Sequence, residues 1–440
     1  MRETIIPSGP RPGIQLVPNS ISGMFSSMAR KALFSRLQKI ATGQLILNEG
    51  QTSVIFGESG DNVKLRASLN IYDHRFYTDI VFGGSIGAGE AYMAGFWSTD
   101  DLTQLIRIII LNRHVLTGLE GGTARLSGPL HRMFHALRKN TKEGSRKNIE
   151  AHYDLGNDFY SLFLDDTMTY SCGIFSSSTT SLQEASIEKY DRICRKLLLC
   201  PEDHVLEIGT GWGGFALHAA KNYGCRITTT TISHQQHEFA RQRIHQEGMD
   251  GHIEILLKDY RDLQGTYDKL VSIEMIEAVG HHYLETFFRC CSERLKESGM
   301  MLLQAITITD QEYDDHKNSV DFIKRYIFPG SCIPSLTAIA QAATNGTDMR
   351  LFHLEDITAH YARTLREWRA RFFTHISEVR RLGYSEEFIK TWEYYLCYCE
   401  AGFTERYIGD VQMLFTKPLS RRPPLLPPLE GGDQICSAIS

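Results

Sequence analysis

One stretch constrains the fold of this chain more than any other: Val205-Leu206-Glu207-Ile208-Gly209-Thr210-Gly211-Trp212-Gly213-Gly214. An apolar run ends at an acid, and alternate glycines then open into the helical pattern FALHAAKNYG. Such glycines let the backbone turn tightly and let a ligand approach the main chain. The spacing is neither G-x-G-x-x-G nor G-x-x-x-x-G-K-[ST], which disfavours a dinucleotide or a nucleoside triphosphate. A nucleoside-bearing ligand remains, with a tight turn that holds nothing as the plain alternative. Downstream, RITTTTI, HIEILL, YDKLVSIEM, MMLLQAITI and finally VQMLFTK are short apolar strands, and helical patterns such as QQHEFARQRIHQEG and YLETFFRCCSERLKESG separate several of them. Buried strands alternating with helices predict an α/β fold with a doubly wound, largely parallel sheet.

The first third of the chain reads differently. A loose arm is expected over 1–24, followed by a helical pattern from Phe25 to Ile40. QLILNEG, TSVIFGE, VKLRASLNIY and RFYTDIVFG read as strands, and 85–113 as two helices with an N-cap near Ser98–Asp101. Together they predict a small α+β domain over 25–130. Residues 131–148 carry six Lys or Arg against Glu143 alone. That window is either a solvated linker or a contact to anionic lipid headgroups. A Pro-rich disordered tail is expected over 418–440. At 440 residues, two domains are the natural expectation. A net charge of −5 gives no global reason to expect nucleic acid. No apolar run near the start suggests a signal peptide, and Leu105–Leu111, broken by Arg107, falls short of the ~20 apolar residues that span a bilayer. A soluble or peripheral protein is expected.

The glycine-rich segment resembles motif I of S-adenosylmethionine-dependent methyltransferases. Longer motifs narrow this: KNIEAHYDLGNDFYSLFLDDTMTYSCGIF (147–175), IEMIEAVGHHYLETFF (273–288), EYDDHKNSVDFIKRYIFPGSCIPS (312–335), RTLREWRARF (363–372) and TWEYYLCYCEAGF (391–403). In this order they resemble the cyclopropane-fatty-acid synthase family, over about residues 30–417, with the carboxyl-terminal part of the plant enzymes nearest. The resemblance implies a seven-stranded class I methyltransferase domain over 149–417. It also implies an enzyme acting on cis-unsaturated acyl chains of phospholipids. The methyl of S-adenosylmethionine adds to the alkene, a carbocation forms, and proton loss from the new methyl closes a cyclopropane ring. In the family, a bound bicarbonate takes that proton.

Site residues follow from the same resemblance. Cys172, Glu277 and Tyr361 are expected to hold bicarbonate, and Cys399 to lie near the acyl site. Gln304 stands where some bacterial members have His; an amide donates but does not titrate. Tyr170 and Ser171 are expected over the methionine part of the cofactor. Glu207, Gly209, Gly211 and Gly213 belong to the loop, Thr231 and Gln236 to the ribose side, and Asp259 and Tyr260 to the adenine. The second strand ends in threonines, not in the acid that many methyltransferases use there. Tyr326, Phe328, Trp368, Phe372, Phe373, Trp392, Tyr394 and Tyr395 are expected to wall an acyl pocket. Each has a bland alternative: Glu277 as a helix N-terminal acid, the cysteines and aromatics as core.

Ten cysteines without framework spacing read as reduced thiols. His281-His282, Cys290-Cys291 and Cys397-x-Cys399 lack zinc spacing, so no metal is expected. The expected partner is an unsaturated phospholipid in a membrane, with peripheral cytoplasmic attachment and a possible homodimer. The small domain would dock lipid or support a dimer. Alternatives are an enzyme that stops at a methyl or methylene branch, an amine N-methyltransferase of the same fold, and a non-enzymatic binding protein.

Overall fold

The computed structural model describes residues 19–60, 63–114 and 155–425, with side chains from Met24 onward. Most of the expected arm, the basic window and most of the tail lie outside the described residues; 19–24, expected as arm, instead open the first helix.

Two compact units emerge. The small one contains α1 (Asn19–Leu37), β1 (Gln44–Glu49), β2 (Thr52–Gly57), β3 (Arg66–Ile71), α2 (Arg75–Met93) and β4 (Trp97–Thr99). Its strands lie in the order β2-β1-β3-β4, with β1 and β3 parallel. RFYTDIVFG, read as a strand, instead opens α2. Phe76, Tyr77 and Val81 are buried on the helix, so tertiary packing overrides their β propensity. At Gly84 the backbone leaves helical geometry, with φ 56° and ψ −137°. The short strand β4, which the sequence pattern did not reveal, pairs with β3 and closes the sheet.

The large unit begins with α3 (Leu102–Leu111), which the sequence placed in the small domain. Its apolar face, Leu102, Leu105, Ile106 and Ile108, is buried. After α3 come α4 (Asn157–Ser161), α5 (Leu182–Leu197), β5 (His204–Ile208), α6 (Gly214–Tyr223), β6 (Arg226–Thr231), α7 (His234–Gln246), β7 (Ile253–Leu257) and β8 (Tyr267–Ile273). Then follow α8 (Leu284–Glu293), β9 (Leu295–Ile308), α9 (Asp310–Asn318), α10 (Leu336–Gly346), β10 (Arg350–Asp356), α11 (Thr358–Thr374), α12 (Ile376–Arg381), α13 (Glu386–Thr404) and β11 (Ile408–Thr416). α3 packs against α13. There Arg107 pairs with Glu405 at 2.5 Å, and the Thr103 hydroxyl donates to Glu400 at 3.2 Å.

The seven-stranded sheet has the order β10-β11-β9-β8-β5-β6-β7. β5 to β9 run parallel, and β11 is antiparallel to both its neighbours. β10 is the strand the sequence reading lacked; at the sheet edge, its residues are exposed or half-exposed, and four of the seven are polar or charged. The chain runs from β5 through β6 to β7, then restarts at β8 on the other side of β5. The crevice beyond the carboxyl ends of β5 and β8 is therefore the switch point at which such sheets bind ligands. One apolar cluster packs α8 and α10 on one face, and another packs α5, α6 and α7 on the other.

Candidate active site

The expected cofactor loop leaves β5 at the switch point. Gly209, Gly211 and Gly213 have φ of 106°, 52° and 85°. Side chains rarely adopt such angles, which explains the glycines. A Cβ on Gly211 would meet open space, so a ligand can approach its backbone. At Gly209 a Cβ would touch Met275 at 3.3 Å, which ties the loop to the segment after β8.

The other expected cofactor residues are each held by a local partner. Tyr170 shares a 2.9 Å hydroxyl hydrogen bond with Tyr395, and Ser171 accepts from Lys189 at 2.7 Å. Thr231 donates to Gln236 at 2.9 Å at the end of β6. Asp259 holds Arg261 in a two-pronged pair, and Tyr260 packs edge-on to Phe287. Glu207 turns into the sheet and accepts from Thr229 at 2.5 Å. This loop and its ring of polar side chains fit a nucleoside cofactor such as S-adenosylmethionine.

The hydrogen-bond network beside the loop centres on a residue that the sequence reading did not single out. Glu274 follows the last residue of β8, and its carboxylate gathers three donors. The Cys172 backbone N–H and the Gln304 amide reach Oε1, each at 2.8 Å, and the Tyr361 hydroxyl reaches Oε2 at 2.5 Å. Gln304 is aligned by a relay. Lys196 can only donate, so it fixes the Gln412 carbonyl at 2.7 Å. The Gln412 amide then donates to the Gln304 carbonyl at 3.1 Å. Gln304 Nε2 is left to donate to Glu274 and, at 3.0 Å, to Asp410.

Cys172, Gln304 and Tyr361 thus converge, but on Glu274. The Cys172 thiol turns towards the Gly173 carbonyl, and burial raises its pKa well above the ordinary thiol value. Glu277 stands beside the cluster. One oxygen accepts from the Ile306 N–H at 2.5 Å, and the other is buried without a hydrogen-bond partner. Cys399 stands apart on α13, half-buried, with its thiol pushed up by burial and by the charge of Asp321. The donors assigned to bicarbonate are therefore already spent, and bicarbonate does not fit this arrangement.

Charge in the cluster is divided. Lys189 on α5 is fully buried, and burial lowers its pKa to about 8 against the pull of Glu274. Burial, then the charges of Glu274 and Glu277, raise Asp410 well above the carboxylate range. Burial also raises Glu274, while the Tyr361, Cys172 and Gln304 donors and the charge of Lys189 oppose it. Lys189 could have been found in the sequence. It occupies an apolar position on α5, with Ala185, Ser186, Ile193 and Cys194 on the same buried face.

Burial pushes Glu207 and Glu277 up to about 8 each, from an ordinary 4.5. Raised folded-state values stabilise the fold fully below pH 4.5, and this contribution is lost as pH climbs to 8. Each group then costs about 1.4 kcal/mol per pH unit. Glu207→Gln, which still accepts from Thr229, is expected to flatten the fall of Tm between pH 6 and 8. An unchanged slope would refute this.

Aromatic side chains close one side. Tyr170 packs on Trp368 at 5.1 Å and on Phe328 at 6.4 Å. Trp368, Phe372, Trp392, Tyr394 and Tyr395 are buried, whereas Phe373 is exposed. Among the described residues, no group of His, Cys, Asp and Glu could hold a metal ion. No described helix is long and apolar enough to cross a membrane.

Known proteins share this architecture. The family described as mycolic acid cyclopropane synthetase matches residues 140–413. Tuberculostearic acid methyltransferase UfaA1 of Mycobacterium tuberculosis is 38% identical over 347 residues, 75% of this chain and 78% of that protein. Cyclopropane-fatty-acyl-phospholipid synthase of Escherichia coli is 36% identical over 353 residues, 80% of this chain and 88% of that protein. The solved cyclopropane synthase MmaA2 from Mycobacterium tuberculosis matches with a TM-score of 0.58 at 31% identity, covering 62% of this chain and 98% of its own. Mycolic acid cyclopropane synthase CmaA1, solved with SAH and CTAB, gives 0.57 at 30% with the same coverage. With its class I methyltransferase sheet and this match over more than half its length, the chain belongs to the mycolic acid cyclopropane synthetase family of S-adenosylmethionine-dependent methyltransferases.

Proposed function

We propose that this enzyme methylates the cis double bond of phospholipid acyl chains and closes it to a cyclopropane. The observation that carries the reading is the buried Glu274 carboxylate, beside the cofactor loop and the Tyr170–Trp368–Phe328 aromatic wall. Bound S-adenosylmethionine supplies an electrophilic methyl. An alkene is a poor nucleophile, so the protein must hold it in line and exclude water. The aromatic wall suits both tasks: its hydroxyl, on Tyr170, is engaged with Tyr395 and the rest of it is hydrocarbon and indole. The named activity of the Escherichia coli relative supports the phospholipid substrate. Such a substrate calls for peripheral contact with a membrane.

The test incubates the protein with S-adenosylmethionine and oleoyl phospholipid vesicles and follows the acyl methyl esters by mass spectrometry and vinyl-proton NMR. The expected product gains one CH₂ and loses the alkene. A gain of CH₂ with the alkene retained would instead establish a branching enzyme, in keeping with the fatty acid methyltransferases among the relatives. No lipid product, with cofactor bound, would point to a small-molecule acceptor.

A further inference from the structure

Glu274 occupies the position of an anion. Its two carboxylate oxygens take up the Cys172 N–H, the Gln304 amide and the Tyr361 hydroxyl, a set of donors suited to a small oxyanion. The side chain reaches them through an unusual backbone. Glu274 has φ 47°, in the left-handed region that a non-glycine residue enters at a cost of about 1–2 kcal/mol. The Gln304 carbonyl holds that conformation by accepting the Glu274 N–H at 2.9 Å. Strain of this kind persists where the surroundings over-determine it, and it concentrates at functional sites. Glu274 lies at the switch point, next to the Met275 that packs under the cofactor loop.

We propose that Glu274 is itself the base of the reaction, its carboxylate doing the work of a bound bicarbonate, so that this enzyme closes the ring without that anion. The proposal rests on the cyclopropane reading above. The step begins from the carbocation left on the methylated acyl chain, at the carbon next to the one that took the methyl. A C–H bond of the new methyl breaks and its proton passes to the Glu274 carboxylate. The freed electron pair forms the third ring bond at the cationic carbon. Carboxylate and cation become a neutral carboxylic acid and a neutral ring, and the proton leaves to solvent when the product departs. A tethered base needs no diffusing partner and is already oriented by its three donors.

The test measures ring formation on oleoyl phospholipid vesicles in carbon-dioxide-free buffer, with and without added sodium bicarbonate. Wild type is expected to run at the same rate in both. Glu274→Gly suits the positive φ and opens a space of carboxylate size, so it should fold. It is expected to lose about 10²–10⁴ in rate, the usual worth of a positioned base. Bicarbonate is expected to restore at least about tenfold of that loss, consistent with an anion re-entering the vacated donors. Glu274→Gln keeps the shape but not the basicity; it should bind S-adenosylmethionine as wild type does and yield no ring, with or without bicarbonate. Ring formation by wild type that requires bicarbonate, or wild-type rates from Glu274→Gln, would overturn the proposal and leave the cyclopropane reading standing. A wild-type product that retains its alkene would overturn both.

Discussion

Lys189→Met is expected to destabilise the fold by about 1–3 kcal/mol at neutral pH, because it strips the buried Ser171 hydroxyl of its donor and removes a cation that faces buried carboxylates. Lys189 is fully buried, donates to Ser171 at 2.7 Å, and faces Glu274, Asp410, Asp165 and the Cys172 thiol. Methionine fills a similar volume, so the loss is electrostatic. In a unit of this size, that loss corresponds to a fall in Tm of roughly 2–12 °C. The variant has an escape: Glu274 can take up a proton. Its folded pKa then rises further above the unfolded value, so the stability that protonation restores is present at low pH and lost as pH rises. The Tm gap to wild type is therefore expected to be wider at pH 7.5 than at pH 5.5. Calorimetry at both pH values checks this, and a gap that is equal, or larger at pH 5.5, would refute it.

Tyr361→Phe is expected to cut kcat by about 10- to 150-fold, since a hydrogen bond to a charged group is worth about 1.5–3 kcal/mol. The ring stays in place, because it stacks on Phe403 at 4.3 Å and meets Trp368 edge-on. Only the 2.5 Å donor to Glu274 Oε2 disappears. KM for vesicle lipid should barely move, because the hydroxyl serves the carboxylate rather than the acyl chain. Steady-state kinetics separates the cases: a raised KM with intact kcat would place Tyr361 in lipid binding.

The parallel sheet was legible because its central strands β5, β8 and β9 are largely buried and read as largely apolar runs. β10 was not, because a strand at the sheet edge carries Arg350, His353, Glu355 and Asp356 without penalty. RFYTDIVFG misled for the opposite reason: aromatic and branched residues suit a strand but were buried equally well on one face of α2. At the site, motif resemblance identified Cys172, Gln304 and Tyr361, which do converge. It pointed to Glu277, whereas the carboxylate on which these three converge, Glu274, lies three residues earlier. The available signal was physical: in YDKLVSIE, the acid directly follows the last apolar residue of a parallel strand, where ligand-facing groups belong. Asp410 had no comparable mark, since only the pairing of β11 with β9 brings it to Gln304.

The place of α3 governs how this chain can be made. Thr103 finds Glu400 across a separation of 297 residues, so α3 leaves the ribosome long before α13 exists. Until then its face of Leu102, Leu105, Ile106 and Ile108 has no partner and is exposed to mispairing. The large unit is therefore not a contiguous segment that can be excised at its sheet. A truncation that starts at residue 149 removes the apolar cover of α13 and leaves Glu405 without Arg107. Vectorial synthesis thus ends, for this enzyme, with the last long helix returning to one of the first.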